Sequence, residues 1–269
     1  MDAKIRRFIY IPAIGITVAL LTFWLWTRRN EEPTPVGLTR SDRALSTAED
    51  LLKASLASYG GIDRTGQIRE ITLKNAITVY GENQSRIQGY SNECYRFPDK
   101  VRVDFSFGAN QVSHLFDGTA AWTRTGGIWA KGPDYLTEGL RRSLKHFPTT
   151  LLSTALDDRT LLRGIVPKNL DGKRCLTIEL TDREGDQSRI WFDDETLLMA
   201  RIDYPVFTSL GVDSMTILMT DYREAGGIQT PFRVAIYYNG DRAQDITVKE
   251  VVINPRLDDS LFAPSHGKE

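Results

Sequence analysis

Three hydropathy periods divide the chain. From Phe8 to Trp26 the sequence FIYIPAIGITVALLTFWLW runs nineteen residues without a charge. As a helix rising 1.5 Å per residue it would be about 28 Å long, close to the ~30 Å hydrocarbon core of a bilayer. Tyr10, Trp24 and Trp26 sit where interfacial aromatic rings belong, and Lys4, Arg6, Arg7, Arg28 and Arg29 bracket the run with headgroup charges. A polar stretch with Pro33 and Pro35 follows, which favours extended chain and reads as a linker over residues 30–40. Ser41 to Tyr59 then takes a helical period, with Leu45, Ala48, Leu52, Leu56 and Tyr59 near one face, Ser46 to Glu49 spaced as a capping box, and Gly60-Gly61 as the stop.

From Ile68 onward the period falls to two. Ile71, Leu73, Ile77 and Val79 alternate with polar residues, as do Val101, Val103, Phe105 and Phe107, and Leu176, Ile178 and Leu180. Further strands are expected near residues 85–96, 110–117, 119–124, 188–193, 197–204, 213–223, 231–239 and 243–253. Turn signals separate them at meander spacing: Gly81-Glu82-Asn83, Asp117-Gly118, Gly126-Gly127, Asp171-Gly172, Glu184-Gly185-Asp186, Gly226-Gly227 and Asn239-Gly240. One apolar and one polar face per strand describes an antiparallel sheet covered on one side only. A second helical region interrupts the strands. Pro133 opens a stripe of Leu136, Leu140, Leu144 and Phe147, Pro148 breaks it, and Leu151, Leu152, Ala155 and Leu156 continue as a shorter helix.

The areas do not match. About ten strands at 4.8 Å give a sheet roughly 45–50 Å wide, whereas three helices of about 10 Å diameter cover roughly 30 Å. Wide sheets curl or split, and a strongly curved sheet with helices across its mouth would leave an apolar space between the layers, suited to a hydrophobic ligand. The residues expected to line it are Phe105, Phe107, Phe116, Trp122, Trp129, Trp191 and Met199 from the strands and Leu136, Leu140, Leu144 and Phe147 from the helical lid. Taken singly, each is equally well read as core.

Composition sharpens this picture. The 269 residues hold 34 Lys plus Arg against 35 Asp plus Glu, a net charge of -1, with 41% hydrophobic and 26% charged residues. These are ordinary globular values that exclude a disordered acidic tail and carry no basic excess for nucleic acid. Near-neutrality is itself a cancellation: residues 1–29 hold five Lys/Arg and one Asp, a net of +4, so the remaining 240 residues sum to -5. The apolar run exceeds the 7–15 residues of a signal-peptide core and ends in TRRNEEPTPVG without a small-residue cleavage site, which favours an uncleaved anchor. Lys/Arg on both flanks leave the orientation open to the positive-inside rule; a short tail before a large domain is the layout of a bacterial signal anchor. Alternation places Cys175 with Thr177 and Glu179 on the polar face, and Cys94 likewise with Asn92 and Arg96. A disulfide between them would close a loop of about 80 residues and contribute roughly 4–5 kcal/mol; two free thiols is the other reading.

Several segments together resemble a family. Tyr59-Gly60-Gly61 at the end of the first helix, Phe97-Pro98-Asp99-Lys100-Val101-Arg102 leading into a strand, Phe116-Asp117-Gly118-Thr119-Ala120-Ala121-Trp122, Asp221-Tyr222-Arg223-Glu224, Gly226-Gly227-Ile228-Gln229-Thr230-Pro231-Phe232, and the ending Asn254-Pro255-Arg256-Leu257-Asp258-Asp259-Ser260-Leu261-Phe262 are similar to bacterial outer-membrane lipoprotein-sorting proteins of the LolA/LolB-like superfamily. The resemblance covers roughly residues 45 to 264 and implies an incomplete β-barrel capped by helices, whose apolar cavity holds acyl chains without catalysis. The soluble carriers of that family have a cleaved signal and its acceptors a lipidated cysteine, whereas this chain is expected to keep its anchor.

Catalytic constellations are scarce. His114, His146 and His266 are the only histidines and none has metal-ligand spacing, and there is no GxSxG elbow, P-loop or Rossmann pattern. Asp182-Arg183-Glu184-Gly185-Asp186 and Asp193-Asp194-Glu195 admit a calcium reading, but their place between strands favours hairpin turns.

The expectation is therefore an α+β, mainly β protein: a tail and transmembrane helix over residues 1–29, a linker over 30–40, and over 41–269 a curved antiparallel sheet of about ten to eleven strands covered by helices. It is expected to be non-enzymatic, without cofactor or metal, and single-pass in the inner membrane with its domain in the periplasm. Its expected partners are lipid or lipoprotein acyl chains and, in an alternative reading, envelope proteins bound by a lipid-sensing signalling module; no nucleic acid is expected, and an envelope hydrolase is a distant third.

Overall fold

The computed structural model describes residues 45–81, 85–156, 160–208 and 211–264. The expected anchor and linker, and His266, lie outside the described residues; among the described ones no helix is long and apolar enough to cross a membrane.

Helix α1 (Ala48–Tyr59) begins one residue later than its expected box. Thr47 is the N-cap: its Oγ1 accepts from the Asp50 N–H at 3.0 Å while Asp50 Oδ2 accepts from the Thr47 N–H at 3.0 Å, and Ser46 adds its hydroxyl to the same carboxylate. This reciprocal pairing satisfies two orphan donors of the first turn. Leu51, Leu52, Leu56 and Tyr59 are buried on the face toward the sheet. The helix ends at Gly60, φ 128°, where a Cβ would stand 2.4 Å from the carbonyl oxygen of Gly227 in a strand turn, so only glycine lets the helix end dock there. Tyr59 and Tyr222 share a hydroxyl contact at 2.8 Å, and Tyr222 donates to the Met199 carbonyl at 2.6 Å, which ties α1 to the sheet. A short helix, α2 (Ile62–Gly66), leads into the strands.

Thirteen strands form one sheet: β1 (Glu70–Tyr80), β2 (Arg86–Arg96), β3 (Lys100–Phe107), β4 (Asn110–Phe116), β5 (Ala121–Thr125), β6 (Ile128–Lys131), β7 (Leu161–Leu170), β8 (Lys173–Thr181), β9 (Gln187–Asp193), β10 (Met199–Thr208), β11 (Gly211–Ala225), β12 (Ile228–Tyr238) and β13 (Asp241–Ile253). The order β6-β5-β4-β3-β2-β1-β13-β12-β11-β10-β9-β8-β7 is two antiparallel meanders joined where β1 pairs with β13, from Ile71 opposite Ile253 to Val79 opposite Gln244. The expectation of ten to eleven strands is corrected to thirteen among the described residues, and the two unforeseen strands are the two edges. β6 is only four residues long, and β7 contains Gly164 and Pro167 and breaks register between Arg163 and Val166. An edge tolerates a proline because its outward side needs no N–H, and the same residues blur the alternation that marks a central strand.

Two helices interrupt the meanders. α3 (Asp134–Lys145) starts after Pro133 and buries Leu136, Leu140 and Leu144; each just over one helical turn from the next, these make one stripe. His146 ends it, Phe147 is extended, and Pro148 opens α4 (Pro148–Thr154) at a position where a missing N–H costs nothing.

The apolar interior is two clusters. One joins α1 and α4 to β8–β12 through Leu51, Leu152, Ile178, Phe192, Met199 and Met215. The other joins α3 to β1–β5 through Tyr95, Val101, Val103, Phe105, Phe116 and Leu140. On the opposite, outer face the 3₁₀ turn Asp259–Phe262 lies over β2 and β3: Arg96 covers the Phe262 ring at 4.8 Å and donates to the Leu257 carbonyl, and Arg102 donates to the Leu261 carbonyl at 3.4 Å.

The cysteines are free, which corrects the disulfide reading. Cys94 lies on β2 and Cys175 on β8, with β1, β13, β12, β11, β10 and β9 between them. Six intervening strands at ~4.8 Å exceed by far the Cα separation of about 4.4–6.8 Å that a bridge allows. Alkylation in denaturant without reductant should therefore add two adducts, with Cys94 the faster to react in the folded protein because Cys175 is buried; an intact mass showing no reactive thiol would contradict this arrangement.

Candidate functional site

The two core clusters do not merge. On the seam between them, beneath the α3–α4 junction and against the central strands, lies a cavity of about 130 Å³. Its floor is aliphatic, from Leu73 on β1, Ile202 on β10, Ile217 and Met219 on β11, Val234 and Ile236 on β12, and Ile246 and Val248 on β13; Ser143, His146, Phe147 and Pro148 roof it.

The expected lining residues divide by face. Phe147 lines the cavity, and its ring lies 5.4 Å from Tyr95 and 5.2 Å from Phe97. Phe105, Phe107, Phe116, Leu136, Leu140 and Leu144 belong to one flanking cluster and Met199 to the other. Phe107 stacks on Phe105 at 6.1 Å and occupies the space above Gly89, where a Cβ would meet its ring at 2.5 Å. Trp122, Trp129 and Trp191 are on the outer face. Trp122 pairs with Leu115, one residue out of phase with His114 and Phe116, and donates to Asp117 at 2.8 Å. Trp129 lies against Arg102 and Arg124, and Trp191 against Arg201 and Lys168 with its N–H on Asp203. Each indole pairs its N–H or ring face with charged residues, the arrangement of an amphipathic ring at a polar surface.

Sequence pattern did not single out the polar wall of the cavity. Asn75 on β1 and Glu93 and Tyr95 on β2 face inward and are buried. Glu93 Oε1 accepts from Asn75 Nδ2 at 2.8 Å and from Ser91 Oγ at 3.0 Å, and Oε2 accepts from Tyr95 Oη at 2.8 Å. Burial pushes the Glu93 carboxyl above its ordinary value, against the pull of these three donors. On the facing wall His146 stacks on Tyr204 with 3.9 Å between ring centres. Burial, then the charges of Arg142 and Lys145, lower His146 to about 3, so its ring is neutral at physiological pH. Its Nε2 contacts Ser188 Oγ at 3.3 Å, while its Nδ1 and the Tyr204 hydroxyl have no hydrogen-bond partner. His146 is shared by the cavity and an outer cleft of about 270 Å³ between α3–α4 and the β8–β9 turn. The histidine and its stacked tyrosine thus form the partition between interior and surface.

Ion pairs tie α3 to the β8–β9 turn. On α3, Arg141 reaches Glu184 at 2.8 Å, Arg142 reaches Asp186 at 3.1 Å and the Pro205 carbonyl at 3.1 Å, and Lys145 meets Asp186 at 2.6 Å as well as Asp182. Asp182 Oδ1 also accepts the Glu184 and Asp186 N–H groups, so this acidic group is the expected hairpin turn. Asp193 does the same for Glu195 and Thr196. Oxygens of Asp182, Glu184 and Asp186 lie within 4.8 Å of one another, but α3 already supplies the cations that face them.

Burial raises Asp186, but Lys145 and the arginines outweigh it and hold the carboxyl below its ordinary 3.8; the Arg141 hydrogen bond, with Lys145, lowers Glu184 below 4.5. Burial lowers Lys145, but Asp182 and Asp186 outweigh it and hold the ammonium above 10.5. Depressed carboxylates stabilise the folded α3 above their unfolded values and lose that contribution as pH falls through the folded ones. The raised lysine contributes below its unfolded value and is lost only at higher alkalinity. Hydrogen-exchange protection factors of α3 should thus be constant from about pH 5 to 10 and fall below about pH 4, and Lys145→Ala should lower them at neutral pH; protection in α3 unaltered by acid and by this variant would contradict this role of the ion pairs.

No protein-family model matches the chain, and no curated protein matches it in sequence. Its fold is nevertheless shared. A LolA superfamily protein from Nitrosomonas europaea superposes with a TM-score of 0.55 at 11% identity, covering 81% of this chain and 97% of that one. A DUF1329 family protein from Desulfovibrio piger superposes with a TM-score of 0.54 at 14% identity, with the same coverage. The likeness is one of fold, and in that respect the chain is LolA-like, as the turn and strand-end motifs imply.

Proposed function

We propose that this protein is a membrane-anchored, periplasmic lipid- or lipoprotein-binding protein that holds an acyl chain in the seam cavity, without catalysing a reaction. The observation that carries this reading is the cavity itself: an aliphatic floor drawn from five central strands beneath a roof in which the extended Phe147 joins α3 to α4 and ion pairs tie α3 to the β8–β9 turn. Burying a chain there contributes on the order of 0.8 kcal/mol per CH₂. The LolA-like fold supports the same ligand class, and the apolar run at residues 8–26 supports attachment to the inner membrane, where the protein would receive or present a lipid rather than ferry it.

At about 130 Å³ the cavity is smaller than the roughly 300 Å³ lower bound of ordinary ligand pockets. On this reading the space widens to take a whole chain, by outward movement of α3 and of the His146–Tyr204 pair. Met219→Phe fills the floor at a cost to folding of about 1–3 kcal/mol, and should abolish uptake of a fluorescent alkyl probe while leaving a cooperative unfolding transition. Native mass spectrometry of residues 37–269 purified without detergent should show co-purifying lipid in the unaltered protein and none in the variant. Neither lipid nor probe uptake in the unaltered protein, or uptake undiminished by Met219→Phe, would overturn the assignment.

A further inference from the structure

The Asn75, Ser91, Glu93 and Tyr95 group on the cavity wall is one-sided in its hydrogen-bonding capacity; Thr230, also on the lining, carries a hydroxyl that can donate or accept and sets no sign. Asn75 Nδ2 directs one proton to Ser91 Oγ at 3.0 Å and the other to Glu93 Oε1 at 2.8 Å; Ser91 Oγ donates onward to Glu93 Oε1, and Tyr95 Oη donates to Glu93 Oε2. Three donors converge on the Glu93 oxygens, the pattern of an ionised carboxylate, and with Glu93 in that form every donor of this side-chain group is engaged. Acceptors are left over. Asn75 Oδ1 is buried with no partner, and Glu93 Oε2 takes one bond where a carboxylate oxygen has room for two. Asn75 and Glu93 are 2% and 6% exposed, and both line the cavity, so bulk water does not meet that demand. A buried acceptor without a donor is costly, and more so beside a carboxylate. On the facing wall His146 Nδ1 and Tyr204 Oη are also unpartnered, but either can serve as donor or acceptor according to tautomer or rotor, so they set no sign. Asn75 Oδ1 can only accept.

Resting on the chain-binding reading above, we propose that the cavity selects an aliphatic chain whose buried part carries a hydrogen-bond donor, a hydroxyl or an ammonium, received by Asn75 Oδ1 and Glu93, and discriminates against the same chain ending in a carboxylate. A hydroxyl supplies one proton to the vacant acceptor. An ammonium supplies three and offsets the Glu93 charge as well. A carboxylate brings only further acceptors and a second negative charge into a site of low polarity, where like charges repel strongly.

Three photoreactive alkyl probes of equal chain length, each with a mid-chain diazirine and ending in a hydroxyl, an ammonium or a carboxylate, test this on the full chain in polymer-bounded membrane particles at neutral pH, read as labelling yield on cavity peptides of β11 and β13. The hydroxyl and ammonium probes should each label about tenfold more than the carboxylate probe, the factor that one well-made hydrogen bond, together with the carboxylate's repulsion, carries. Asn75→Leu, similar in size, should bring the hydroxyl probe to the yield of a plain hydrocarbon diazirine, and Glu93→Gln should raise carboxylate labelling by removing the repelling charge. An ammonium yield above the hydroxyl yield would assign the selectivity mainly to the Glu93 charge, and equal yields mainly to Asn75 Oδ1; both support the proposal. Carboxylate labelling equal to the others in the unaltered protein, or a preference that survives both substitutions, would overturn the donor selectivity while leaving chain binding intact. Absence of labelling by any probe, the hydrocarbon included, would instead overturn chain binding itself.

Discussion

One sheet has to be covered by too few helices, and the rest of the structure follows from that mismatch. Thirteen strands at ~4.8 Å span roughly 60 Å along the curve of the sheet, while α1, α3 and α4 are each about 10 Å across. The chain answers by dividing its apolar face. α1 and α4 close over β8–β12, α3 closes over β1–β5, and β1, β13 and β12 pass beneath the junction between them. A cavity at that junction is what remains when two well-packed clusters meet at a corner that neither helix pair can fill. Its position is thus set by topology: β1 and β13 lie near opposite ends of the chain yet pair along most of their length, which puts the join of the two meanders at the centre of the sheet.

What roofs the seam is held differently from what flanks it. Leu140 and Leu144 are almost wholly buried, each contributing on the order of 1.5–3 kcal/mol, whereas the end of α3 nearest the cavity is fixed to the β8–β9 turn by Arg142 and Lys145 on Asp182 and Asp186. Apolar packing is short-ranged and non-directional, so it anchors one side of the helix. The charged pairs at the other end are shielded, with Arg142 only 5% exposed, so they hold more firmly than the ~1 kcal/mol of an exposed pair, and they separate only if their groups gain water as they part. α3 is thus fixed along one side by apolar packing and at one end by ion pairs, and is followed at once by the extended Phe147 and by Pro148 over the seam.

Much of this was legible in the amino-acid sequence. Alternation in Val101 to Phe107, glycine and asparagine turns such as Asn239-Gly240, and the Leu136, Leu140, Leu144 stripe each report a local rule that tertiary structure did not override. The edges were not legible, because β6 is short and β7 carries Gly164 and Pro167, and an edge strand is freed from the rules that make central strands recognisable. The tryptophans were misleading for another reason. They were expected to line the cavity, but Trp122 and Trp191 each have an N–H that needs an acceptor, and the outer face supplies Asp117 and Asp203, with Trp191 buried there all the same. Glu93 and Asn75 escaped notice because a polar residue in a strand ordinarily points outward. One signal was present: the inward set of β2, Ile87, Gly89, Ser91, Glu93 and Tyr95, is poor in aliphatic residues although the strand is central, and such a conflict between level and level marks a functional site.

The claim on which the account turns is that an aliphatic chain enters the seam rather than adsorbing on the outer face. Intermolecular nuclear Overhauser effects between a protonated long-chain alcohol and methyl-labelled protein measure this directly. Contacts should arise from Ile202, Ile217, Met219 and Ile246, which line the cavity from β10, β11 and β13. Contacts confined to methyl groups outside the seam, such as those of the exposed edge residues Leu161 and Val166, would contradict it.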